Sequence, residues 1–305
     1  MFHPSTIHSG PNIISVSRRT DVPAFYGQWF MNRVEEGFAG YTNPFSGKTH
    51  FVSLKPEDVI CFVFWSKNFT PFIEHLKIIE ARGYKFYFNY TINGYPAALE
   101  DRVAPQEKTI DTLKRMSDRY SPLHINWRYD PLVISDITDW DFHLEHFASL
   151  AASIQGYAER CYFSFVTLYG KVKKRFESLR KDKHLSIVEP DPGSKIRFSQ
   201  KLAEIASQYG ITMYTCCGDA LLSSRIQKAH CIDGNLINRL FYTTSLGLRK
   251  KPTRKECGCT GSYDIGAYDT CPHGCVYCYA NMDREISDRA LKNHDEKSAL
   301  LLKPT

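Results

Sequence analysis

Val59-Ile60-Cys61-Phe62-Val63-Phe64 is the stretch that most directly indicates the fold, because its apolar residues follow one another without a polar interruption. The run ends in Trp65-Ser66-Lys67-Asn68, and Pro71 then opens a segment with helical apolar spacing that closes at Gly83. Continuous apolar strands are typical of strands buried on both faces, as in a parallel sheet covered by helices. We therefore predict one strand–loop–helix unit of an α/β protein here.

The same unit recurs along the chain. We predict strands at residues 13–17, 59–64, 84–90, 124–129, 161–166, 211–215 and 262–268. Helices are expected at residues 25–34, 71–83, 107–119, 141–155, 196–209, 236–241 and 282–301. About seven such units predict an α/β fold, namely a (β/α) barrel that is full or partial and TIM-like, with an open doubly wound sheet as the runner-up. We expect a single domain over residues 1–305, with a cysteine-rich C-terminal third at about 216–280.

The composition is that of a globular protein with a modest excess of basic residues. Of its 305 residues, 43% are hydrophobic and 24% are charged, with a formal net charge of +6 and a pI of about 8.7. No apolar run approaches the length of a membrane span and no N-terminal stretch resembles a signal peptide, so we expect a cytoplasmic protein without a membrane partner. No G-x-G-x-x-G or P-loop motif is present, so nothing supports nucleotide sites of those types.

Polar side chains follow the predicted strands at the points where they end. The most prominent sets are Ser17-Arg18-Arg19-Thr20-Asp21, Trp65-Ser66-Lys67-Asn68 and Trp127-Arg128-Tyr129-Asp130. Because the C-terminal ends of parallel barrel strands share one face, and that face holds the active site, these residues are candidates for catalysis. The alternative is that they only cap and turn the chain. The candidate catalytic residues are Arg18, Asp21, Lys67, Arg128 and Asp130.

Three cysteines stand close together in Cys271-Pro272-His273-Gly274-Cys275-Val276-Tyr277-Cys278. In a reducing cytoplasm such cysteines are more often metal-binding or catalytic than disulfide-bonded. Three thiolates on one loop can hold three irons of a 4Fe–4S cluster and leave the fourth iron without a protein ligand. Zinc, or a cluster that only transfers electrons, stays open as an alternative.

The cysteine loop and several strand ends resemble known families. The C-x3-C-x2-C loop, with an aromatic residue before its third cysteine, resembles that of radical S-adenosylmethionine (SAM) enzymes, and its sequence is similar to the lesion-lyase branch of that superfamily. Nearly the whole chain resembles domain-of-unknown-function family 1848, a radical-SAM-like family with this cysteine motif near the C-terminus. The second resemblance implies no assigned reaction. It rests on residues 17–21, 65–68, 127–130 and 231–233 and on the C-terminal cysteines.

The superfamily resemblance implies a specific chemistry. Cys271, Cys275 and Cys278 would ligate a 4Fe–4S cluster, and SAM would chelate the fourth iron. One electron, from a donor such as flavodoxin or ferredoxin, would cleave SAM to a 5′-deoxyadenosyl radical that abstracts hydrogen from the substrate. Tyr277 matches the aromatic residue that packs near the adenine. The resemblance therefore implies a radical SAM enzyme, and the substrate is not identified.

The position of the loop departs from the superfamily pattern. There the loop usually follows the first barrel strand, whereas here it follows the last predicted strand. A circular permutation reconciles the two, because a closed barrel does not require any particular strand to come first. The N-terminal strand would then neighbour the strand before the loop. Ser17, Arg18, Arg19 and Asp21 would lie where the superfamily grips the methionine end of SAM, although the usual Gly-Gly-Glu is absent.

A second group of cysteines precedes the loop. Cys216 or its neighbour Cys217, together with Cys231, Cys257 and Cys259, could supply ligands for a second iron–sulfur cluster or for zinc. The family resemblance favours Cys216 over Cys217. The alternative is a set of buried thiols that bind no metal.

Two basic runs, Lys171–Arg175 and Arg249–Lys255, complete the candidate features. Such runs are usually solvated surface, but they would contact phosphates if the substrate were a nucleic acid. Besides the radical SAM enzyme, two other functions are therefore open. One is an iron–sulfur electron-transfer or sensor protein, and the other is a zinc-stabilised nucleic-acid-binding protein without SAM chemistry.

Overall fold

Eight parallel strands form the main sheet of the computed structural model, which describes residues 7–303. In chain order the strands are β1 (Ile7–His8), β2 (Asn12–Val16), β3 (Phe38–Thr42), β4 (Thr49–Ser53), β5 (Val59–Ser66), β6 (Phe86–Thr91), β7 (Ile125–Arg128), β8 (Ile134–Ser135), β9 (Arg160–Phe163), β10 (Ile187–Val188), β11 (Thr212–Thr215), β12 (Ile226–Lys228) and β13 (Tyr263–Asp264). The helices are α1 (Val22–Phe25), α2 (Gly27–Glu36), α3 (Ile73–Ala81), α4 (Gln106–Arg119), α5 (Trp140–Ser153), α6 (Gly170–Lys183), α7 (Pro192–Gln208), α8 (Gly234–Phe241) and α9 (Arg284–Lys292).

The order of strands across the main sheet is β12-β11-β9-β7-β6-β5-β2-β13. From β2 to β12 the neighbours follow chain order, and β13 lies on the far side of β2, with Asp264 opposite Ser15. β12 and β13 are the two edge strands, and within residues 7–303 they do not pair. The predicted α/β class with a parallel sheet is confirmed, but the sheet does not close into a full barrel.

The two faces of the sheet are covered by different parts of the chain. Along β5, Phe62 and Phe64 point to the face that the helices cover, whereas Cys61 and Val63 point to the opposite face. That opposite face is covered by the segment around α8, which contributes Leu236 among other apolar side chains. Burial on both faces explains why the strand sequence is continuously apolar. The α8 segment lies in the connection between the two edge strands, β12 and β13.

Smaller elements lie outside the main sheet. Strands β1, β4 and β3 form a three-stranded sheet, and β8 pairs with β10. The strand predictions near residues 13–17, 59–64, 84–90, 124–129, 161–166 and 211–215 match β2, β5, β6, β7, β9 and β11. The sequence analysis missed α6 and β12. In the described part of the chain, no helix is both long and apolar enough to cross a membrane.

Two predicted elements near the C-terminus are shorter than expected. The strand predicted at residues 262–268 is only Tyr263–Asp264, and the helix predicted at 282–301 ends at Lys292. The chain beyond α9 instead makes tertiary contacts. Trp29 Nε1 donates to the carbonyl of Ser298 at 2.9 Å, and the Gly40 amide donates to the carbonyl of Ala299 at 2.8 Å. These bonds tie the chain beyond α9 to α2 and to β3.

Candidate metal and cofactor site

The predicted site residues lie at the C-terminal ends of the parallel strands. Ser17 directly follows β2, Lys67 follows β5 and Cys216 follows β11. The cysteine loop, residues 271–278, follows β13 after a short connection. Because all neighbouring strands are parallel, these ends meet at one edge of the sheet. The fold therefore brings both cysteine groups and the polar strand ends to the same edge.

Asp21 joins the cysteine loop to the ends of β2 and β5. Its Oδ2 accepts hydrogen bonds from His273 Nε2 at 2.7 Å and from the Lys67 amide at 2.8 Å. Its Oδ1 accepts from Ser66 Oγ at 2.7 Å and from the Ala24 amide at 3.0 Å, where Asp21 caps α1. Both oxygens of this buried carboxylate are thus fully engaged. Asp21 acts here by positioning His273 and, through it, the cysteine loop.

Two other segments hold the backbone of the loop. The Val276 amide donates to the carbonyl of Leu99 at 3.1 Å, and the Arg102 amide donates to the carbonyl of His273 at 3.0 Å. On the other side, Arg175 of α6 donates to the carbonyls of Val276 at 2.8 Å, of Asn281 at 2.8 Å and of Cys278. The first predicted basic run therefore contributes a clamp on the loop as well as exposed lysines.

A buried charged network lies against the loop. Lys67 Nζ contacts Glu100 Oε1 at 2.7 Å, and the same oxygen accepts from Asn93 Nδ2 at 2.9 Å and from the Tyr277 hydroxyl. Burial raises the pKa of Glu100, but the Lys67 ammonium outweighs it and the net pKa is lowered. For Lys67, burial lowers the pKa and Glu100 more than compensates, so the net pKa is raised. Both groups are therefore charged, and the pair fixes the ring of Tyr277.

This network forms one wall of a pocket with a volume of about 240 Å³. Lys67, Asn93, Tyr95, Glu100 and Gln106 line it. The mixture of two charged groups, two amides and an aromatic ring suits a polar ligand group better than an apolar one.

The two tyrosines of the loop differ sharply in exposure. Tyr277, the predicted adenine neighbour, is only 7% exposed and packs edge-on against Tyr95 with ring centroids 6.0 Å apart. Tyr279 is 45% exposed, and its hydroxyl donates to the carbonyl of Arg18 at 2.6 Å. In this arrangement Tyr277 belongs to the packed core of the loop, and Tyr279 is the aromatic side chain that solvent or a ligand can reach.

Asp264 of β13 organises the end of β2. It accepts hydrogen bonds from Ser15 Oγ at 2.9 Å, from Ser17 Oγ at 2.5 Å and from the Arg18 amide at 2.9 Å. Arg19 Nε lies 4.0 Å from Asp264, and its guanidinium stacks over the ring of Tyr268 at 5.3 Å. The predicted SAM-gripping residues Ser17, Arg18 and Arg19 are therefore anchored to the strand that precedes the cysteine loop.

Arg18 lies between the two cysteine groups. Its Nε contacts Asp264 at 3.4 Å, and within residues 7–303 no acceptor takes a hydrogen bond from its two terminal nitrogens. Burial lowers the pKa of Arg18, but Asp264, Tyr279, Cys259 and Cys231 more than compensate and the net pKa is raised. The guanidinium is therefore charged, and its terminal nitrogens are free to bind an anion.

The cysteines of the loop are half-buried. Burial raises the pKa of Cys271, and burial also raises the pKa of Cys275 to about 12. Cys278 Sγ accepts a hydrogen bond from the Ala280 amide at 3.3 Å. Burial disfavours the charged thiolate form of these cysteines. A metal cation bound among the sulfurs would stabilise that form, because thiols release their protons when they bind a metal. Three sulfurs on a loop clamped from both sides fit a 4Fe–4S cluster by donor chemistry and by number.

The second cysteine group draws sulfurs from three segments. Cys216 Sγ lies 3.6 Å from Cys231 Sγ, and Cys257 and Cys259 pack in the same cluster. Cys217 Sγ accepts from Arg254 Nε at 3.0 Å, and Arg254 Nη2 also donates to Cys216 Sγ at 3.4 Å. Within residues 7–303, Cys216 rather than Cys217 contacts the sulfur of Cys231. Hydrogen bonds from Cys216 and Cys259, helped by Arg128, lower the pKa of Cys231.

Of the two residues predicted as catalytic at the end of β7, Arg128 contacts the second group, and Asp130 pairs with Arg128 while its backbone amide donates to Asn93. Arg128 Nη1 donates to Cys231 Sγ at 3.2 Å, and Nη2 donates to Asp130. Asp130 Oδ1 accepts from Ser164 Oγ at 2.5 Å. The predicted catalytic set therefore divides: Asp21 and Lys67 support the loop, Arg128 and Asp130 support the second group, and Arg18 lies between them.

As it stands, no set of three or more His, Cys, Asp or Glu side chains in residues 7–303 is drawn together closely enough to hold a metal ion. Both cysteine groups would need small side-chain adjustments on binding. Sequence reasoning missed Glu100, Asp264 and Arg175, which anchor the site through partners far away in the chain. His273 stood inside the quoted motif, and its position between two cysteines was the one local signal available.

Comparisons with known proteins identify a family but no activity. The family model described as "Domain of unknown function (DUF1848)" matches residues 13–280. No curated protein matches. Among solved structures, a D-hydantoinase aligns with a TM-score of 0.31 and 7% identity, covering 70% of this chain and 42% of that one. The D-hydantoinase from Bacillus sp. AR9 aligns with a TM-score of 0.28 and 9% identity, covering 70% and 43%. The chain thus spans less than half the length of both, and similarity this low carries no functional conclusion.

Proposed function

This chain belongs to the DUF1848 family, a domain of unknown function, and on that premise we propose that it is a radical SAM enzyme. The proposal includes the fold: the open eight-stranded sheet is a partial, circularly permuted TIM-like barrel. The pairing of β13 with β2 supports the permutation, because it makes the strand before the cysteine loop the neighbour of the first main-sheet strand.

One observation carries the proposal. The three-cysteine loop lies at the C-terminal edge of the parallel sheet, and its His273 contacts Asp21 of the β2 end at 2.7 Å. Three half-buried thiols on one clamped loop leave one iron of a cubane cluster without a protein ligand. That open position distinguishes a cluster that binds a second molecule from one that only carries electrons.

Named residues would divide the work of holding the two cofactors. Cys271, Cys275 and Cys278 would ligate the 4Fe–4S cluster, and the terminal nitrogens of Arg18 would bind a carboxylate of SAM. When bound, the pair supplies reductive cleavage of SAM and hydrogen abstraction from the substrate, with one electron from a flavodoxin or ferredoxin. Tyr279 is the loop aromatic that can be reached, so it is a better candidate than Tyr277 for contact with the adenine.

The remaining residues position the loop and exclude water. Asp21 holds His273, and the Lys67–Glu100 pair holds Tyr277 by hydrogen bonds at the back of the loop. Neither Asp21 nor Lys67 needs to touch the substrate for this role. The pocket beside Lys67 and Glu100 is a candidate for a polar part of the substrate.

Anaerobic reconstitution tests the proposal. The full chain is loaded with iron and sulfide, reduced with dithionite and incubated with SAM, and 5′-deoxyadenosine is measured by chromatography. We expect product well above that of a Cys271→Ala control. A wild-type protein that holds an intact cluster but yields no product above this control contradicts the proposal.

The alternatives give different results in the same experiment. A reducible cluster without SAM cleavage would identify an electron-transfer or sensor protein. Failure to take up iron, with zinc bound at the loop cysteines, would favour the zinc-stabilised nucleic-acid-binding protein. In that case binding to single-stranded DNA or RNA should weaken steeply with salt.

A further inference from the structure

The second cysteine group lies across the open side of the sheet. Cys216 directly follows β11, and Cys231 follows the edge strand β12. Cys257 and Cys259 belong to the segment that leads into β13, the opposite edge strand. The four cysteines therefore come from segments that adjoin the two edge strands.

Their side chains pack into one cluster. Cys216 Sγ lies 3.6 Å from Cys231 Sγ, and Cys257 and Cys259 belong to the same cluster. A tetrahedral zinc ion with zinc–sulfur bonds of about 2.3 Å holds its sulfurs about 3.8 Å apart. The observed contact is close to that edge length. A disulfide would need about 2.05 Å between the sulfurs, and a cubane cluster would spread its thiolates over separate irons.

Positively charged groups point at these sulfurs. Arg128 Nη1 donates to Cys231 Sγ at 3.2 Å, and Arg254 Nη2 donates to Cys216 Sγ at 3.4 Å. Four thiolates around one divalent cation carry a net charge of −2, which two guanidinium groups would balance. Hydrogen bonds of this kind to metal-bound ligands orient them and support binding.

The turn between Cys257 and Cys259 lies directly against the side chain of His230. His230 Nδ1 lies 2.5 Å from the carbonyl of Gly258, and a Cβ at Gly258 would come within 2.6 Å of the His230 ring. The Thr260 amide donates to the carbonyl of Ile232 at 2.9 Å. The segment before β13 is thus packed directly against the segment after β12, and this packing keeps the two pairs of cysteines together.

We propose that Cys216, Cys231, Cys257 and Cys259 bind a single tetrahedral zinc ion that ties the two edges of the sheet together. The ion takes the place of the backbone pairing that β12 and β13 lack. Because all four positions are filled by protein sulfur, the site is structural, and it stabilises the edge at which the cysteine loop lies.

The experiment removes the loop cysteines, so that its result does not depend on the proposed radical chemistry. In a Cys271→Ala/Cys275→Ala/Cys278→Ala background, metals are measured by elemental analysis after purification without added metal. We expect one zinc per chain and no iron. Cobalt(II) added to the metal-free protein should give the intense visible bands of tetrahedral cobalt–thiolate coordination.

Single substitutions then identify the ligands. Cys216→Ser, Cys231→Ser and Cys257→Ser should each lose the zinc, whereas Cys217→Ser should keep it, because within residues 7–303 the sulfur of Cys216, not that of Cys217, contacts Cys231. If the buried Cys231→Ser variant does not fold, the half-buried Cys216 and Cys257 decide the question. Zinc retained in both of those variants overturns the ligand assignment.

Three results would overturn the proposal. The triple-alanine background could hold no zinc, or it could hold iron with sulfide, which would mean a second cluster. Mass spectrometry could also find Cys216 and Cys231 joined by a disulfide. If the triple-alanine background does not fold, the wild-type chain loaded with iron and sulfide decides: about four irons and one zinc support the proposal, and about eight irons without zinc contradict it.

Discussion

The two cysteine groups differ in how they are assembled. The loop cysteines, Cys271, Cys275 and Cys278, lie within one turn-rich stretch that neighbouring segments clamp from outside. The second group collects Cys216, Cys231, Cys257 and Cys259 from the ends of separate elements. Three sulfurs on one loop leave one coordination position of the bound cluster open. Four sulfurs from separate segments can complete the tetrahedral coordination of one metal ion and so link those segments. The first arrangement suits chemistry and the second suits stability.

The charged residues around the two groups follow the same division. Arg175 donates its hydrogen bonds to loop carbonyls, so it fixes the backbone path of the loop. Arg128 and Arg254 instead donate directly to sulfur in the second group. Arg18 lies between the groups with its terminal nitrogens unpaired by described residues. Near the loop, Arg18 thus has terminal nitrogens available, while the arginines at the dispersed group already donate to sulfur.

The largest expected effect is that a substitution in one cysteine group removes only the metal of that group. Cys275→Ala should lose the iron of the loop and reduce 5′-deoxyadenosine to the level of a protein-free control, while zinc stays at one per chain. Cys257→Ser should do the opposite, keeping about four irons and losing zinc. Elemental analysis and product chromatography on matched preparations measure both. If either substitution removes both metals, the groups are not independent and the comparison fails.

Asp21→Asn should weaken the loop without affecting the second group. Four donors point at the two oxygens of Asp21, so an amide nitrogen in place of one oxygen would face a donor. We expect unfolding free energy to fall by about 2–4 kcal/mol, as for a broken buried charged network. Iron content should fall while zinc is retained. Urea unfolding and elemental analysis provide the measurements.

Asp139→Asn is the matched control for that substitution. Asp139 caps α5 by accepting from the Phe142 amide at 2.8 Å, as Asp21 caps α1, but it is exposed and has no second element to hold. Asparagine caps helices about as well as aspartate, so little change is expected. Equal losses in both variants would show that Asp21 acts only as a helix cap.

Acidification should destabilise the whole fold through a histidine far from both cysteine groups. His143 Nε2 donates to the carbonyl of Val133 at 3.0 Å, so its Nδ1 must accept from the Tyr129 hydroxyl at 2.8 Å. Burial lowers the pKa of His143 from 6.5 to about 4. Between these values the unfolded chain binds more protons, so stability is full above about pH 6.5 and falls by about 3 kcal/mol as the pH drops to 4.

Urea unfolding of the wild type and of His143→Gln between pH 7 and pH 4 measures this loss. The variant should lose less stability on acidification, since its side chain does not titrate. Parallel pH profiles for the two proteins would refute the assignment. The result also sets the pH range in which the metal contents of the two groups can be compared on a folded protein.

Arg175→Gln should give the smallest effect. Loss of its bonds to the loop carbonyls should lower stability by about 1–2 kcal/mol, because the side chain is only half-buried and water can replace part of them. Iron uptake at the loop should slow, and zinc should be unaffected. Lys174→Gln on the exposed face of α6 is the control, with no change expected. Similar losses of iron uptake in both variants would indicate a general charge effect.

Much of the fold could be predicted from local pattern. The run at residues 59–64 predicted β5, which extends to Ser66, and the spacing after Pro71 predicted α3. These elements were predictable because their periodicity reflects burial on known faces. The helix predicted at residues 282–301 was wrong beyond Lys292, where the chain instead packs against Trp29 and Gly40. No local pattern could reveal those partners.

The candidate site shows the same limit. Cys271, Cys275 and Cys278 could be picked out because their spacing lies within one short stretch. Asp264 could not, because its partners Ser15 and Ser17 are 249 and 247 residues away in the chain. Glu100 carries no recognisable motif, yet it binds both Lys67 and Tyr277.

By itself, the sequence determined the parallel α/β class, the three-cysteine loop and the set of further cysteines, since each depends on residue type and near spacing. Only the tertiary structure decided that the sheet stays open between β12 and β13 and that Cys216, not Cys217, contacts Cys231. It also decided that Arg128 contacts the second group and pairs with Asp130. The physical reason is that strand order and side-chain direction arise from packing between distant segments, which spacing along the chain does not record.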